Sequence, residues 1–238
     1  MNQMDNVAAG TLSGTAPAEA DITVNRFRRK RGQKLRAQID RLADLLGRDI
    51  AVLDVGGRPD YWLNVGIDRI SRIVLLNSSS GELDRPIPPG LPQEIFAHVT
   101  GDARNLSDHR EATVDLVHSN SVIEHVGGWH NMRAMARELM RVGRAGWVQT
   151  PAWEFPVEPH YQVPFLHWVG RPLGRSLLSL SPKARVRRLD LHRRRIYIER
   201  INLLSKSEVR ALFPDRPVRT EWMVLPKSYI VSWMPEAA

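Results

Sequence analysis

The stretch that most constrains the chain is Ile50–Tyr61, IAVLDVGGRPDY. Its first half is a short apolar run, Ala51-Val52-Leu53, closed by Asp54; Gly56 and Gly57 follow, then the polar turn Arg58-Pro59-Asp60. A strand buried on both faces reads as a continuous apolar run rather than an alternating one. Glycines at its carboxyl end let the backbone turn sharply and let a ligand come close. The stretch is read as a strand, a ligand-accessible turn and the entry to a connector. A tight strand-to-helix connection with no ligand accounts for these residues as well.

Later segments repeat the arrangement. A second strand is expected at Arg72–Leu76, ending in Asn77 and the run Ser78-Ser79-Ser80-Gly81. Pro86, Pro88, Pro89 and Pro92 then make a loop without regular structure. A third strand at Ile95–Thr100 runs into Gly101-Asp102-Ala103, and a fourth at Thr113–Ser119 into Asn120. The fifth is expected at Trp147–Thr150. Between them the spacing turns helical. Leu35, Ile39, Leu42, Leu45 and Leu46 mark a helix over about Val24–Leu46, ended by Gly47. This helix is expected to cover the ligand side of the sheet, its basic half toward solvent. A short helix or turn is expected at Tyr61–Ile67, and another helix at Asn131–Val142, closed by Gly143 and Gly146. Ser205–Phe213 reads as a helix with a capping box of Ser205 and Glu208. Val218–Val224 and Ser228–Trp233 read as an antiparallel edge hairpin.

Strands alternating with helices and connectors specify an α/β fold with a parallel sheet. Ligands of such sheets sit beyond the carboxyl ends of the strands. Gly56-Gly57, Asn77, Asp102 and Ser119-Asn120 all fall at such ends, which places a ligand crevice there. The pattern breaks between about residues 151 and 204, where PAWEFPVEPHYQVPFLHW leads into a basic run. That segment reads as an inserted lid or substrate wall. Residues 1–22 are rich in Ala, Gly, Ser, Thr and Asn and read as a disordered tail; residues 23–238 read as one domain.

Composition bounds the function classes. With 238 residues and 42% hydrophobic side chains the chain can build one large α/β core. The absence of cysteine removes disulfides, thiolate metal sites and a cysteine nucleophile together. No apolar run reaches the roughly 20 residues that span a bilayer, and the first basic residue is Arg26, late for a signal peptide. A cytoplasmic location is expected. The net charge of +8 is concentrated in Arg26–Arg36 and Lys183–Arg195. Such runs serve as solvated faces, as contacts with an anionic membrane or as nucleic-acid surfaces. Phe27 is the single Phe, Tyr or Trp within the two basic runs and no RNA-binding module is recognisable, which argues against nucleic acid.

Over Asp49–Pro235 the chain resembles the class I S-adenosylmethionine-dependent methyltransferases, most of all the bacterial type-11 methyltransferase-domain proteins. The likeness rests on VLDVGGRPDYW, GDARNL, VDLVHSNSVIEHVG, WVQTPAW and FPVEPHYQVPFLHW in this order. It implies a Rossmann-like, seven-stranded, mostly parallel sheet with an antiparallel last strand and helices on both faces. It implies S-adenosyl-L-methionine as cofactor and a small-molecule or lipid-like methyl acceptor. By the same resemblance Asp54 organises the glycine loop and faces the methionine end, and Gly56 and Gly57 lie under the cofactor. Asn77 stands where an acid usually holds the ribose, Asp102 and Ala103 where the adenine lies, and Ser119 and Asn120 near the sulfonium. The chain departs from the family pattern twice: Pro59 replaces a glycine, and the neutral Asn77 replaces an acid. As plain structure, Asp54 and Asp102 can be helix caps and Asn77 a turn residue.

The cofactor brings the electrophile in methyl transfer, so the chain supplies positioning and a base for an oxygen acceptor. Histidine suits a base near neutral pH. His160 is the first candidate, with Glu158 to orient it, and His125 in IEHV the second; His167 also follows the fifth strand. Trp153, Phe155, Tyr161 and Trp168 can line an apolar pocket or pack a core. No metal site is expected, because His160 and His167 are seven residues apart on a proline-rich segment without an acid pair at ligand spacing. The motif argues against nucleotide-dependent oxidoreduction: G-x-G-x-x-G needs glycines where Arg58 and Tyr61 stand, and the acid expected about 20 residues on is Asn77. An RNA methyltransferase and a catalytically silent cofactor- or partner-binding protein are the rival readings.

Overall fold

The computed structural model describes residues 26–79 and 86–235. The tail expected at residues 1–22 lies outside the described residues, as does the end of the serine-rich loop. The strands β1 (Ile50–Val55), β2 (Ile70–Asn77), β3 (Phe96–Thr100), β4 (Val114–Asn120), β5 (Gly143–Pro151), β8 (Val218–Trp222) and β9 (Pro226–Trp233) form one seven-stranded sheet in the order β3-β2-β1-β4-β5-β9-β8. The five strands β1 to β5 pair in parallel. Only β9 runs against its neighbours, antiparallel to β5 and to β8. The mostly parallel sheet and its terminal hairpin are as expected.

Successive side chains of a strand point to opposite faces, so β1 feeds two cores. Val52 joins Leu35, Ile39 and Leu42 of the long helix α1 (Arg26–Leu46) on one face. Leu53 joins Met135 and Leu139 of α2 (Trp129–Val142) and Val209 of α6 (Lys206–Leu212) on the other. Each of these fully buried aliphatic side chains contributes about 1.5–3 kcal/mol. Ser205 and Glu208 form the expected capping box at the start of α6.

Three expectations need correction. The short helix or turn expected at Tyr61–Ile67 is a 3-10 turn that lies earlier, at Pro59–Asn64; Pro59 occupies its first turn, where a missing N–H costs nothing. Gly143 closes α2 as expected, its amide donating to the Leu139 carbonyl, but Gly146 takes no part in ending the helix. The chain passes from Val142 directly into extended backbone at Gly143, and Gly146 lies inside β5, where a Cβ would meet the indole of Trp233. The basic half of α1 does not face solvent throughout. Arg31 is buried; its Nη2 lies 2.5 Å from Glu221 Oε2 of β8, and its Nη1 donates to Asn120 Oδ1 at 2.9 Å. The N-terminal part of α1 thus reaches the carboxyl ends of the strands and is pinned there by charge.

The segment after β5 leaves and returns at one point. Ala152 bridges Leu204, and the Trp153 amide donates to the Leu204 carbonyl at 3.0 Å. Between them lie the short pair β6 (Val157–Glu158) and β7 (Val163–Pro164) and the helices α3 (Arg171–Leu177), α4 (Ala184–Arg187) and α5 (Leu191–Glu199). They close on a small core of Tyr161, Val163, Leu166, Leu178 and Val186. Among the described residues no helix is long and apolar enough to cross a membrane.

Candidate functional site

At the end of β1 the turn is built around Asp54. Its carboxylate is buried and accepts from Trp62 Nε1 at 2.9 Å and from His118 Nδ1 at 2.5 Å. Gly57 packs so closely on this carboxylate that a Cβ there would strike it. Gly56 adopts φ 69°, the left-handed region that glycine enters without cost, and its amide donates to the Leu76 carbonyl at 2.7 Å. Asn77 Nδ2 donates to the Gly57 carbonyl at 3.1 Å. The turn is therefore tied to β2 through the very residue that departs from the family pattern, while Asn77 Oδ1 takes no hydrogen bond among the described residues.

Gly56, Asn77, Asp102 and Ala103 line one cavity of about 690 Å3, together with Ser78, Ser79, Ser121, Val122 and His125. Asp54, Gly57 and Asn120 line a separate cleft of about 50 Å3 beneath Tyr61 and His118, which Gly56 also reaches. Ser119 lines neither: it is fully buried and its Oγ has no partner. Asp102 holds Arg104, with Oδ2 2.7 Å from Nη2, and that guanidinium keeps the Asp102 carboxyl below its usual range.

The candidate histidines divide into a pair and an outlier. Glu158 is buried; its Oε1 accepts from the ring Nδ1 of His160 at 2.5 Å and from the His160 amide at 3.0 Å, and its Oε2 accepts from the Tyr161 amide at 2.6 Å. His160 Nε2 then lies 2.9 Å from His125 Nε2. His167 stands apart, its Nε2 donating to the Trp153 carbonyl at 2.8 Å. The aromatic residues also divide: Trp153 and Tyr161 line a second cavity of about 350 Å3 with Glu158, Trp129 and Ile198, whereas Phe155 and Trp168 do not.

One member of this cluster is absent from the residues that sequence reasoning singled out. Glu124, in the short 3-10 turn Ile123–His125, is completely buried. Its Oε2 accepts from Thr150 Oγ1 at 3.0 Å, while its Oε1 has no hydrogen-bond partner and lies 3.9 Å from His160 Nε2. Burial pushes the Glu124 carboxyl up to about 7. Part of the His125 ring faces solvent, but enclosure of the remainder, with the His160 ring beside it, pulls its pKa down to about 4. The signal was present in IEHV, an acid directly before a candidate histidine. Spacing along the chain concealed that folding brings His160 onto both.

No protein-family model and no curated protein matches the sequence. Solved structures do. The magnesium protoporphyrin IX methyltransferase ChlM from Synechocystis PCC 6803, solved with bound SAH, is 13% identical over 87% of this chain and 83% of its own, with a TM-score of 0.53. A chain of the complex formed with the Haloferax volcanii Trm112 methyltransferase activator is 13% identical over 89% and 95%, with a TM-score of 0.50. Monomeric WbdD is 18% identical over 85% of this chain and 40% of its own, with a TM-score of 0.52. The fold is the Rossmann-like methyltransferase fold. At these identities the likeness is one of architecture.

Proposed function

We propose that this chain is an S-adenosyl-L-methionine-dependent methyltransferase acting on an oxygen of a small-molecule or lipid-like acceptor. The observation that carries the reading is the junction of cavity and cluster: His125 lines the cavity at the strand ends and touches His160 at 2.9 Å. The cavity suits the cofactor. Its volume of about 690 Å3 lies within the roughly 300–1,000 Å3 usual for small-ligand sites. The Gly56 turn presents backbone without a side chain, and Asn77 Oδ1 is free to accept a hydrogen bond. Gly56, Asn77, Asp102 and Ala103 would hold the cofactor, and Asp54 and Gly57 would shape the turn beneath it. Asp102 need not lose its role to Arg104, since an exposed ion pair is worth only about 0–1 kcal/mol and rearranges readily.

When bound, the cofactor supplies a methyl group on a cationic sulfur. His160 takes the proton of the acceptor hydroxyl at Nε2, the nitrogen left unprotonated when Nδ1–H is held by Glu158, with the acceptor displacing the 2.9 Å contact from His125 Nε2. The Glu158 carboxylate holds the ring in that tautomer and stabilises the imidazolium that forms. The segment of residues 151–204 walls the acceptor side: the second cavity, of about 350 Å3, lies between this segment and the N-terminal end of α2. Titration calorimetry with S-adenosylhomocysteine tests the reading. Saturable heat in the micromolar range is expected, together with transfer of a labelled methyl group into a cell extract fractionated into lipid, RNA and small molecules. Absence of heat at high micromolar ligand removes the proposal, and label in RNA moves it to the rival acceptor class.

A further inference from the structure

Glu124, His125 and His160 offer three ligating atoms, Oε1, Nε2 and Nε2, that all lie within 4.8 Å of one another. We infer that this trio is a binding site for a divalent transition-metal ion, with zinc as the first candidate. Sequence spacing had argued against any metal site; the fold assembles one from residues 35 positions apart.

The geometry and the unmet bonds point the same way. His160 Nε2 lies 2.9 Å from His125 Nε2 and 3.9 Å from Glu124 Oε1. Ligands about 2.0–2.1 Å from a tetrahedral ion stand about 3.3 Å apart, so these two distances bracket that spacing, and the trio must draw in from its 4.8 Å limit to close on an ion. Glu124 Oε1 is a completely buried carboxylate oxygen with no hydrogen-bond partner. A buried carboxylate left so is costly, and buried charges are ordinarily paired or metal-bound. The histidine pair cannot meet that need by itself. With the His160 Nδ1–H given to Glu158, the neutral His160 ring shows a bare lone pair at Nε2. A single proton between the two Nε2 atoms then leaves Glu124 Oε1 unserved, whereas one cation serves all three atoms.

The surrounding residues are arranged as outer partners of a metal site usually are. Carboxylates that accept from the far nitrogen of a ligating histidine fix its tautomer and direction. Glu158 does this for His160, and is itself held by the His160 and Tyr161 amides. Thr150 Oγ1 fixes the other oxygen of Glu124. Two imidazoles and one carboxylate suit zinc and its first-row neighbours rather than magnesium or calcium. His125 also lines the large cavity, so the trio adjoins the proposed cofactor side. With an ion bound, His160 would serve as a ligand rather than as the base, and the ion would lower the pKa of an acceptor hydroxyl so that its proton could pass to solvent. Metal binding itself does not depend on the methyltransferase reading.

The test uses the full chain without an affinity tag and without cofactor. After chelator treatment and dialysis, Zn2+ is titrated by calorimetry and bound metal is counted by mass spectrometry; Co2+ is added in parallel to read its visible spectrum. One equivalent per chain and intense Co2+ bands of low coordination number are expected. Glu124→Gln and His160→Asn should each weaken Zn2+ at least about 10-fold, and Glu158→Gln about 10- to 100-fold. His192→Ala, an exposed histidine of α5, should change nothing. Circular dichroism melts identify any variant that fails to fold, and the remaining variants carry the decision. No zinc bound at high micromolar concentration, or binding that Glu124→Gln and His160→Asn leave intact, overturns the inference. Loss of zinc binding with cofactor binding retained refutes the metal site alone, and the reverse refutes the methyltransferase reading alone.

Discussion

Asn77 illustrates how one polar side chain can serve fold and site together. Read from the sequence, it is a neutral substitute for a ribose-binding acid, and Asn77→Asp should improve binding. The structure gives it another task. Its Nδ2 donates to the Gly57 carbonyl at 3.1 Å and so ties the glycine turn to β2. An aspartate has no donor and would set a carboxylate oxygen against that carbonyl oxygen in a buried position. Losing such a bond and leaving its acceptor unpaired costs about 1–3 kcal/mol. For a chain of this size each kcal/mol moves the melting temperature by about 2–4 °C. Asn77→Asp is therefore expected to melt several degrees lower and to bind S-adenosylhomocysteine no more tightly than the parent. An unchanged melting temperature would show that the bond to Gly57 contributes nothing; tighter binding would restore the ribose role.

At the scale of elements, the placement of α1 rests on a buried charge. Arg31 meets Glu221 of β8 at 2.5 Å, and both side chains are about nine-tenths buried, at 10% and 9% exposure. Ser228 of β9 donates to the same Glu221 carboxylate. Removing one partner of such a pair strands the other charge and costs about 3–5 kcal/mol, whereas replacing both with apolar side chains of similar size is often neutral. Urea denaturation of Arg31→Met, Glu221→Met and the double variant should show two large losses and a double variant better than either single one. Additive losses would mean that the pair does not act as a unit. This contact also marks where sequence reasoning runs out. The strands and their polar ends were legible because doubly buried parallel strands are continuous apolar runs, and Leu35, Ile39 and Leu42 marked the core face of α1 by spacing. Arg31 was not legible, since a buried arginine within RFRRKRGQKLR looks like its solvated neighbours. The helix α5 has no buried residue and so carries no period to read. Glu124, His125 and His160 meet only through the return of the inserted segment, where Glu158 follows β5 in the chain and His125 follows β4.

Over the whole molecule, the excess of positive charge is partly absorbed internally. Arg187 donates to the Ser181 and Pro182 carbonyls, and Arg194 to the Leu189 and Arg187 carbonyls, so these two arginines of the second basic run staple the inserted segment. A molecule with a net charge of +8 repels itself more strongly as its carboxylates protonate, which makes its buried acids the groups that set acid stability. Asp115 is the clearest of them. It opens β4 and binds Arg48, just beyond α1, with Nη1 2.8 Å from Oδ2, and the same oxygen accepts from the Ala51 amide of β1 at 2.9 Å. Burial opposes ionisation of this carboxyl, but the Arg48 guanidinium and the Ala51 amide outweigh it and hold the group below its usual range. The sign follows: a carboxyl depressed on folding adds stability above its unfolded pKa of about 3.9, and that stability is lost as the pH falls through the lower folded value. In urea denaturation the advantage of the parent over Asp115→Asn should be full at pH 7, begin to shrink below about pH 4, and continue to fall toward pH 2 as the folded group protonates. A difference that stays constant across this range would remove Asp115 from the acid response and leave general charge repulsion as its cause.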